Sequence, residues 1–433
     1  MMLIQDLYNI FLQHPSIQTD TRKLQAGDLF FALSGPNFNG NQFAKQALEA
    51  GAAYAIIDEP VNFKDDKLIH TTDALQSLQD LAKYHRLQFA IPFIAITGSN
   101  GKTTTKELVN EVLSGTYKTY TTKGNLNNHI GVPLTILSVK KDAEIAVIEM
   151  GANHQKEIEG YCQYTMPTHG IITNCGKAHL EGFGGMEGVK KGKGELFGYL
   201  KANGGTAFLM NDYDYLNEMS KGIACVKTYG TVDAGITGVA DTSTEFLQVK
   251  MTKGTDIKKI KTNLVGEYNL PNVLVAVAVG KYFNVPDEAI KSALENYVPS
   301  NSRSQLIEVG GNKIILDAYN ANPTSMKAAI ENFAKMEGAD KILLLGGMME
   351  LGEESIAEHS AIVNLIDQNT WKAVVLVGGD FDKIKHGYTY FQNSNEAKDW
   401  LNQQHFINAK LLIKGSRSMQ MEKVLEQAAG NEQ

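Results

Sequence analysis

"IAITGSNGKTTTKE", Ile94 to Glu107, reads as an apolar strand, a tight glycine turn and a helix that opens on Lys102 and three threonines. That is the grammar of a phosphate-binding loop: glycines let backbone N–H groups approach phosphate oxygens, and the helix N-terminus adds partial positive charge. The spacing is not the common G-x-x-x-x-G-K-[ST], which would need glycine at position 96, where Ile96 stands. The first glycine is Gly98, so the loop is shortened. The nucleotide-contacting set is then Gly98, Ser99, Asn100, Gly101, Lys102, Thr103 and Thr104. Lys102 is placed to neutralise the β- and γ-phosphates, and the Thr103 hydroxyl to bind Mg²⁺.

The chain around this loop has 433 residues, long enough for roughly three domains. Residues 1–88 mix short strands and helices: a strand running into a turn at Gly27–Gly35, a helix and then a strand at Ala53–Ile57, and helical periodicity over 73–89. Residues 89–300 hold the phosphate loop and further apolar strands at Ala143–Gly151 and His169–Asn174, separated by helical stretches. This alternation predicts a mostly parallel sheet with helices on both faces. Short antiparallel strands follow over about 232–265, then a helix opened by Pro271. Residues 301–433 carry four apolar strands, "NKIILDAY", "KILLLGGM", "AVVLVGG" and "AKLLIKGS", as expected of a second, Rossmann-like α/β unit. The fold class is α/β in three domains with ligands in the cleft between them.

Composition narrows the function classes. The net charge of −7 argues against a general nucleic-acid binder. No apolar run reaches the ~18 residues of a membrane span, and the start "MMLIQDLYNIFLQ" lacks the basic region and cleavage site of a signal peptide. Three cysteines, Cys162, Cys175 and Cys225, without C-x-x-C spacing, suit free thiols in a reducing cytoplasm. A monomer is the default expectation.

Candidate site residues lie where open α/β sheets bind ligands, at the C-terminal ends of strands. Glu149 ends "EIAVIEMG" and is placed to hold a metal; His179 follows "GIITN" and reads equally as ligand or polar loop residue. In "GVKKGKGELF", Lys190, Lys191 and Lys193 read by spacing as a solvated basic face of a helix. Asn125, Asn127 and Asn128 lie in the Gly/Asn-rich loop "GNLNNHIGVP", which either orders a substrate or only forms turns. Arg303 is either a charge clamp reaching back into the cleft or a surface residue, and Asp317 and Asn320 sit at the end of the third domain's first strand.

Taken together, "TGSNGKTTTKE", "GNLNNHIGVPLT", "EMGAN", "AHLEGFG", "KGKGELF", "DAYNANPTSM", "MMELGEES…EH" and "KGSRSMQME" resemble the Mur ligase family of bacterial cell-wall synthesis, over nearly the whole chain and in family order. The shortened loop is that family's own variant. The motifs look like the branch that adds D-alanyl-D-alanine, and "TDTRKLQAGDLFFALSGPNFNG" resembles its UDP-sugar-binding module. The resemblance implies an ATP-dependent carboxylate–amine ligase needing Mg²⁺, with a UDP-N-acetylmuramoyl tripeptide, D-Ala-D-Ala and ATP as substrates. It would act in cytoplasmic peptidoglycan synthesis, and so bear on cell shape and division. The implied metal positions are Thr103, Glu149, His179 and Lys193, the last as a carbamate and chosen among the three lysines by its place before "GELF". Asn269 and Asn272 would lie near adenine; Arg303, Asp317 and Asn320 would reach ATP from the third domain. Asp20, Thr21, Arg22 and Asn37 would meet the uridine nucleotide, and Asn125, Asn127 and Asn128 the substrate. Lys102, Lys193, His179 and Arg303 form the implied catalytic set.

Two patterns qualify the match. The D-N-x-R signature of the diaminopimelate-adding ligase is absent, and Gly347 in "LGGMMELG" stands where the family often has Asp. The rival readings are another ligase of the superfamily, such as folylpolyglutamate synthase, and a nucleotide-gated regulator that hydrolyses ATP without ligation.

Overall fold

A computed structural model describes residues 3–241, 245–300, 302–338 and 340–426. Three sheets succeed one another along the chain, of four, nine and six strands, with a two-stranded hairpin at Ser34–Asn39. The first sheet is parallel throughout, in the order Ile17–Gln18, Leu29–Phe31, Tyr54–Ile57, Leu68–His70.

The nine-stranded sheet fixes where ligands go. Its strand Phe93–Thr97 lies between Ile145–Glu149 and His169–Ile172, all parallel. All three strands are buried along their whole length, the reason they read as unbroken apolar runs rather than alternating ones. From Phe93–Thr97 the chain passes through helix Lys102–Ser114 to the edge strand Thr119–Thr121. From His169–Ile172 it passes through helix Met186–Ala202 in the other direction, to Thr206–Met210. Right-handed crossovers in opposite directions put these helices on opposite faces. They also open a crevice beyond the C-terminal ends of the two strands, where doubly wound sheets bind ligands. The phosphate loop, Glu149 and the Thr173–Asn174 turn all leave strands at that edge.

The same sheet extends through Cys225–Gly230 to Ile236–Asp241, still parallel, and closes with Phe246–Lys253 and Lys259–Val265, both antiparallel, as the 232–265 stretch suggested. Helix Leu270–Tyr282 carries Pro271 in its first turn and packs against Lys102–Ser114. It is apolar on nearly every side, which suits its burial from Asn272 to Gly280.

The third sheet runs Gln305–Val309, Asn312–Asp317, Lys410–Lys414, Lys341–Gly346, Ala373–Val377, Thr389–Phe391; only the first pair is antiparallel. The four strands expected there are present. The two additional ones are short and exposed or half-buried, so neither gives an apolar run to read. Among the described residues no helix is long and apolar enough to cross a membrane. All three cysteines are free; Cys162 and Cys175 are buried and Cys225 half-buried.

Candidate active site

The phosphate loop is rigid because it is pinned from the next strand. Asn100 N–H donates to Asn174 Oδ1 at 3.0 Å, and the Asn100 carbonyl accepts from Thr173 Oγ1 at 2.6 Å and Asn174 Nδ2 at 3.1 Å. A Cβ on Gly98 would come within 2.0 Å of Thr173 Oγ1, so only glycine fits there. Gly101, at φ +78°, turns the chain into the helix. Beneath that turn, Asn272 accepts from Thr105 Oγ1 at 3.0 Å and donates to Asn269 Oδ1 at 2.9 Å.

These elements face a cleft of about 660 Å³ between the central and third lobes. The loop contributes Ser99 to Thr104, the Asn-rich loop Asn125, Asn127 and Asn128, and the strand ends Glu149 and His179. Asn269 and Asn272 line the same space, and the third lobe adds Arg303, Asp317 and Asn320. Gly98 lies behind the wall, its carbonyl accepting from Lys102 Nζ at 2.7 Å.

Burial holds the Lys102 ammonium below the usual lysine range; Glu149 acts against this and Arg303 with it. Two cations thus converge on one space, Arg303 stacked with its Cζ 3.5 Å from the centre of the Tyr319 ring. An anion between them would relieve their repulsion.

Glu149 is 1% exposed. Its Oε1 accepts from Thr103 Oγ1 at 3.1 Å and Asn127 Nδ2 at 2.7 Å, while Oε2 is buried without a protein partner. An unpaired buried carboxylate oxygen beside a threonine hydroxyl is the donor set of a hard cation that takes its other ligands from water and phosphate. That arrangement agrees with the lack, among the described residues, of any cluster of three or more His, Cys, Asp or Glu able to hold a metal by itself. His179 adopts a left-handed φ of 54°, uncommon for a residue with a side chain. Its Nδ1 lies 2.5 Å from Glu350 Oε2 of the third lobe. This contact holds the Glu350 carboxyl below its usual range.

The reading of the three lysines as one solvated face fails for Lys193. Lys191 is exposed and Lys190 half-buried, but Lys193 is 1% exposed, with Nζ donating to the Ala152 carbonyl at 2.9 Å. Burial, reinforced by the Lys102 charge, brings its amine down to about 7. Lys193 stands behind Ala152, which lines the cleft, rather than in the cleft wall.

Asn128 has a local duty, its Oδ1 accepting from Gly131 N–H at 2.9 Å, and Asn127 holds Glu149; the loop therefore forms turns and lines the cleft at once. Asp20, Thr21 and Arg22 line a separate pocket of about 560 Å³ on the first lobe, with Phe38 and Phe43. Arg22 grips Asp20 with two hydrogen bonds of 2.8 Å and pulls its carboxyl down to about 2. Asn37 is exposed at the hairpin turn and lines neither space; its neighbour Asn39 instead holds Asn41, which bonds Asp58 at 2.7 Å.

Several cleft residues escaped the sequence reading. Lys414, 1% exposed, donates to Asp317 Oδ2 at 2.6 Å and to the Asn320 carbonyl at 3.1 Å. Its signal was a charge at the end of the apolar strand "KLLIK". Asn322, Tyr319 and Glu350 sat inside quoted motifs without marking themselves out.

Comparison with known proteins accords with this geometry. Three family models match: the Mur ligase family catalytic domain over residues 15–92, the Mur ligase middle domain over 96–280, and the Mur ligase glutamate ligase domain over 302–417. The chain is 35% identical over 436 residues to the UDP-N-acetylmuramoyl-tripeptide–D-alanyl-D-alanine ligase of Bacillus subtilis, covering 95% of this chain and 92% of that protein. It is similar to the crystal structure of MurF from Acinetobacter baumannii with a TM-score of 0.87 at 31% identity, over 95% and 92% of the two chains. To the MurF ligase of Thermotoga maritima in complex with ADP the TM-score is 0.86 at 25% identity, over 96% and 97%.

Packing explains Gly347. A Cβ there would lie 2.5 Å from Gly379 Cα and 2.8 Å from its nitrogen. Gly378 and Gly379, at φ +59° and +60°, carry the next strand's loop through the space an aspartate would need. Within the same loop, Glu350 at φ +61° puts a carboxylate in the cleft instead. Gly347→Asp is expected to destabilise the protein by about 1–3 kcal/mol through overpacking. Thermal denaturation reads this as a lowered Tm; an unchanged Tm would contradict the packing account.

Proposed function

This chain belongs to the Mur ligase family, and from that premise we propose that it joins D-alanyl-D-alanine to the terminal carboxylate of a UDP-N-acetylmuramoyl tripeptide, converting ATP to ADP and phosphate. The observation that carries the reading is the convergence of Lys102, Arg303 and the open oxygen of Glu149 on one cleft. Amide formation requires the carboxylate and the triphosphate, both anions, to meet, and these groups offset their repulsion.

In this reading the tripeptide carboxylate attacks the γ-phosphorus, the bond to the ADP oxygen breaks, and an acyl phosphate forms. The D-Ala-D-Ala amine then attacks the acyl carbon, and the tetrahedral species expels phosphate. Lys102 leaves the carbonyls of Gly98 and Ser99, to which it is folded back at 2.7 and 3.2 Å, and follows the phosphoryl charge. Arg303 approaches from the third lobe, and the docked lobe excludes water that would hydrolyse the acyl phosphate. Thr103, Glu149 and His179 would hold Mg²⁺, whose charge supports the transferring phosphoryl group when it is bound.

Lys193 fits the family's carbamate. An amine near pKa 7 is substantially neutral at physiological pH, so it can add CO₂ to give R–NH–COO⁻ and a proton. The product places a negative charge where burial and the Lys102 charge disfavour a positive one. On the first lobe the exposed rings of Phe38 and Phe43, beside Asp20 and Arg22, suit a uracil base. A groove along helix Ala74–Arg86 shares His129, Glu157 and Tyr161 with the cleft and offers room for the peptide next to it. The reading places the reaction in the cytoplasm, where ATP is supplied, and treats the chain as a monomer.

With ATP, Mg²⁺, the muramyl tripeptide and D-Ala-D-Ala, phosphate release should depend on the dipeptide, and mass spectrometry should find the muramyl peptide enlarged by one dipeptide. Phosphate release indifferent to the dipeptide, or preference for a single amino acid, would overturn the assignment. Lys193→Ala should lose at least about 100-fold in kcat and recover partly with added short carboxylates; wild-type turnover without them would remove the carbamate.

A further inference from the structure

Amide polarity crosses from the third lobe into the phosphate loop. A backbone N–H can only donate, so the Ser325 N–H, 2.9 Å from Asn322 Oδ1, fixes which way the Asn322 carboxamide faces. The orientation is locked by a capping box, with Asn322 N–H donating to Ser325 Oγ at 3.1 Å, at the start of helix Pro323–Lys335. Asn322 Nδ2 therefore points away from its helix, and it donates to Asn100 Oδ1 at 2.7 Å. With its oxygen so engaged, Asn100 must present its own Nδ2 elsewhere. That Nδ2 is buried and has no partner. The backbone of Asn100 is held on both sides by Thr173 and Asn174, so the side chain cannot turn by moving the loop.

Buried amide donors in native structures are almost always paired, so an orphan in a cleft wall marks the place of an absent acceptor. Asn100 lines the cleft with Lys102 and Arg303, and the acceptor class two cations select is a phosphate oxygen. Asn100 is the member of the loop that touches the third lobe. Because Asn100 is hydrogen-bonded to the lobe that also carries Arg303 into the cleft, the phosphoryl assigned to it is the terminal one.

We propose that Asn322 is a positioning residue that sets the polarity of the Asn100 amide, so that Asn100 donates to the terminal phosphoryl group of the nucleotide only when the third lobe is docked. The inference rests on the reading of the cleft as an ATP site. It adds that the shortened loop is completed by a residue 222 positions away in sequence. Lobe docking and recognition of the transferable phosphate are then one event.

The test is a double-mutant cycle read by calorimetry with Mg²⁺, using a non-hydrolysable ATP analogue and ADP, without muramyl peptide or dipeptide. Asn322→Ser keeps an oxygen for the Ser325 N–H but is too short to reach Asn100. Asn322→Asp keeps the helix cap but cannot donate, and serves if the serine variant is unstable. Each, like Asn100→Ala, should weaken the analogue about 10–150-fold and ADP less than about twofold, the scale of one hydrogen bond to a charged group. In the Asn100→Ala background, the Asn322 substitution should add nothing further. Wild-type affinity for the analogue, equal losses for analogue and ADP, or additive effects of the two substitutions would each overturn the proposal. Failure of the wild-type chain to bind either nucleotide would instead overturn the ATP reading beneath it.

Discussion

Glu149 ends its strand with one carboxylate oxygen committed and the other open. Thr103 and Asn127 hold Oε1, Thr122 Oγ1 accepts from the Glu149 N–H at 2.9 Å, and Oε2 faces no protein donor. A buried anion is tolerated only where charge or hydrogen bonds compensate it. Here Lys102 is near enough to be affected by it. Lys102 and Arg303 face the same cleft as this carboxylate, and Lys193 lies behind it. A metal-bound triphosphate would engage both the two cations and the uncommitted carboxylate oxygen, so the residues are arranged for a reaction they do not complete by themselves.

Delivering those groups depends on how the third lobe sits on the central one. Tyr268 meets Ser304 at 2.9 Å, Lys177 N–H meets Thr324 at 2.9 Å, and Glu245 pairs with Lys313 at 2.8 Å. His179 with Glu350 and Asn100 with Asn322 add the contacts inside the cleft. Single polar contacts of this kind are worth about 0.5–1.5 kcal/mol each, and exposed ion pairs less. These contacts add to apolar packing, since buried side chains of the third lobe belong to the same hydrophobic cluster as those of the central one. The polar contacts touch the phosphate loop and His179, so separation would dismantle the cleft rather than only uncover it.

Much of this was legible in the sequence for a local reason. A phosphate loop is written within a few residues, because strand, glycine turn and helix are consecutive; buried parallel strands write themselves as apolar runs, and their ends locate Glu149, His179 and Asp317. Properties set by tertiary packing were not legible. Lys193 shares its helix with Lys190 and Lys191, and only the packing around Ala152 and Phe183, over whose ring its Nζ lies 4.7 Å from the centre, separates a buried amine from a solvated one. Gly347 looked like a lost aspartate because its partner, Gly379, is on the next strand's loop. Asn322 did not mark itself out, because its contact with Asn100 joins two lobes and only its helix-capping role is local. Asn37 shows the reverse case, a family motif residue whose side chain faces solvent beside a neighbour that carries the structural bonds.

The account stands on the open oxygen of Glu149 as the seat of the cation. Calorimetric titration of ADP into wild type and Glu149→Gln, with and without Mg²⁺, measures that seat without requiring turnover. The account predicts that magnesium tightens ADP binding to the wild type by at least about tenfold, roughly 1.4 kcal/mol. It predicts that Glu149→Gln loses this increment while keeping its magnesium-free affinity. Retention of the full magnesium increment by Glu149→Gln would contradict it.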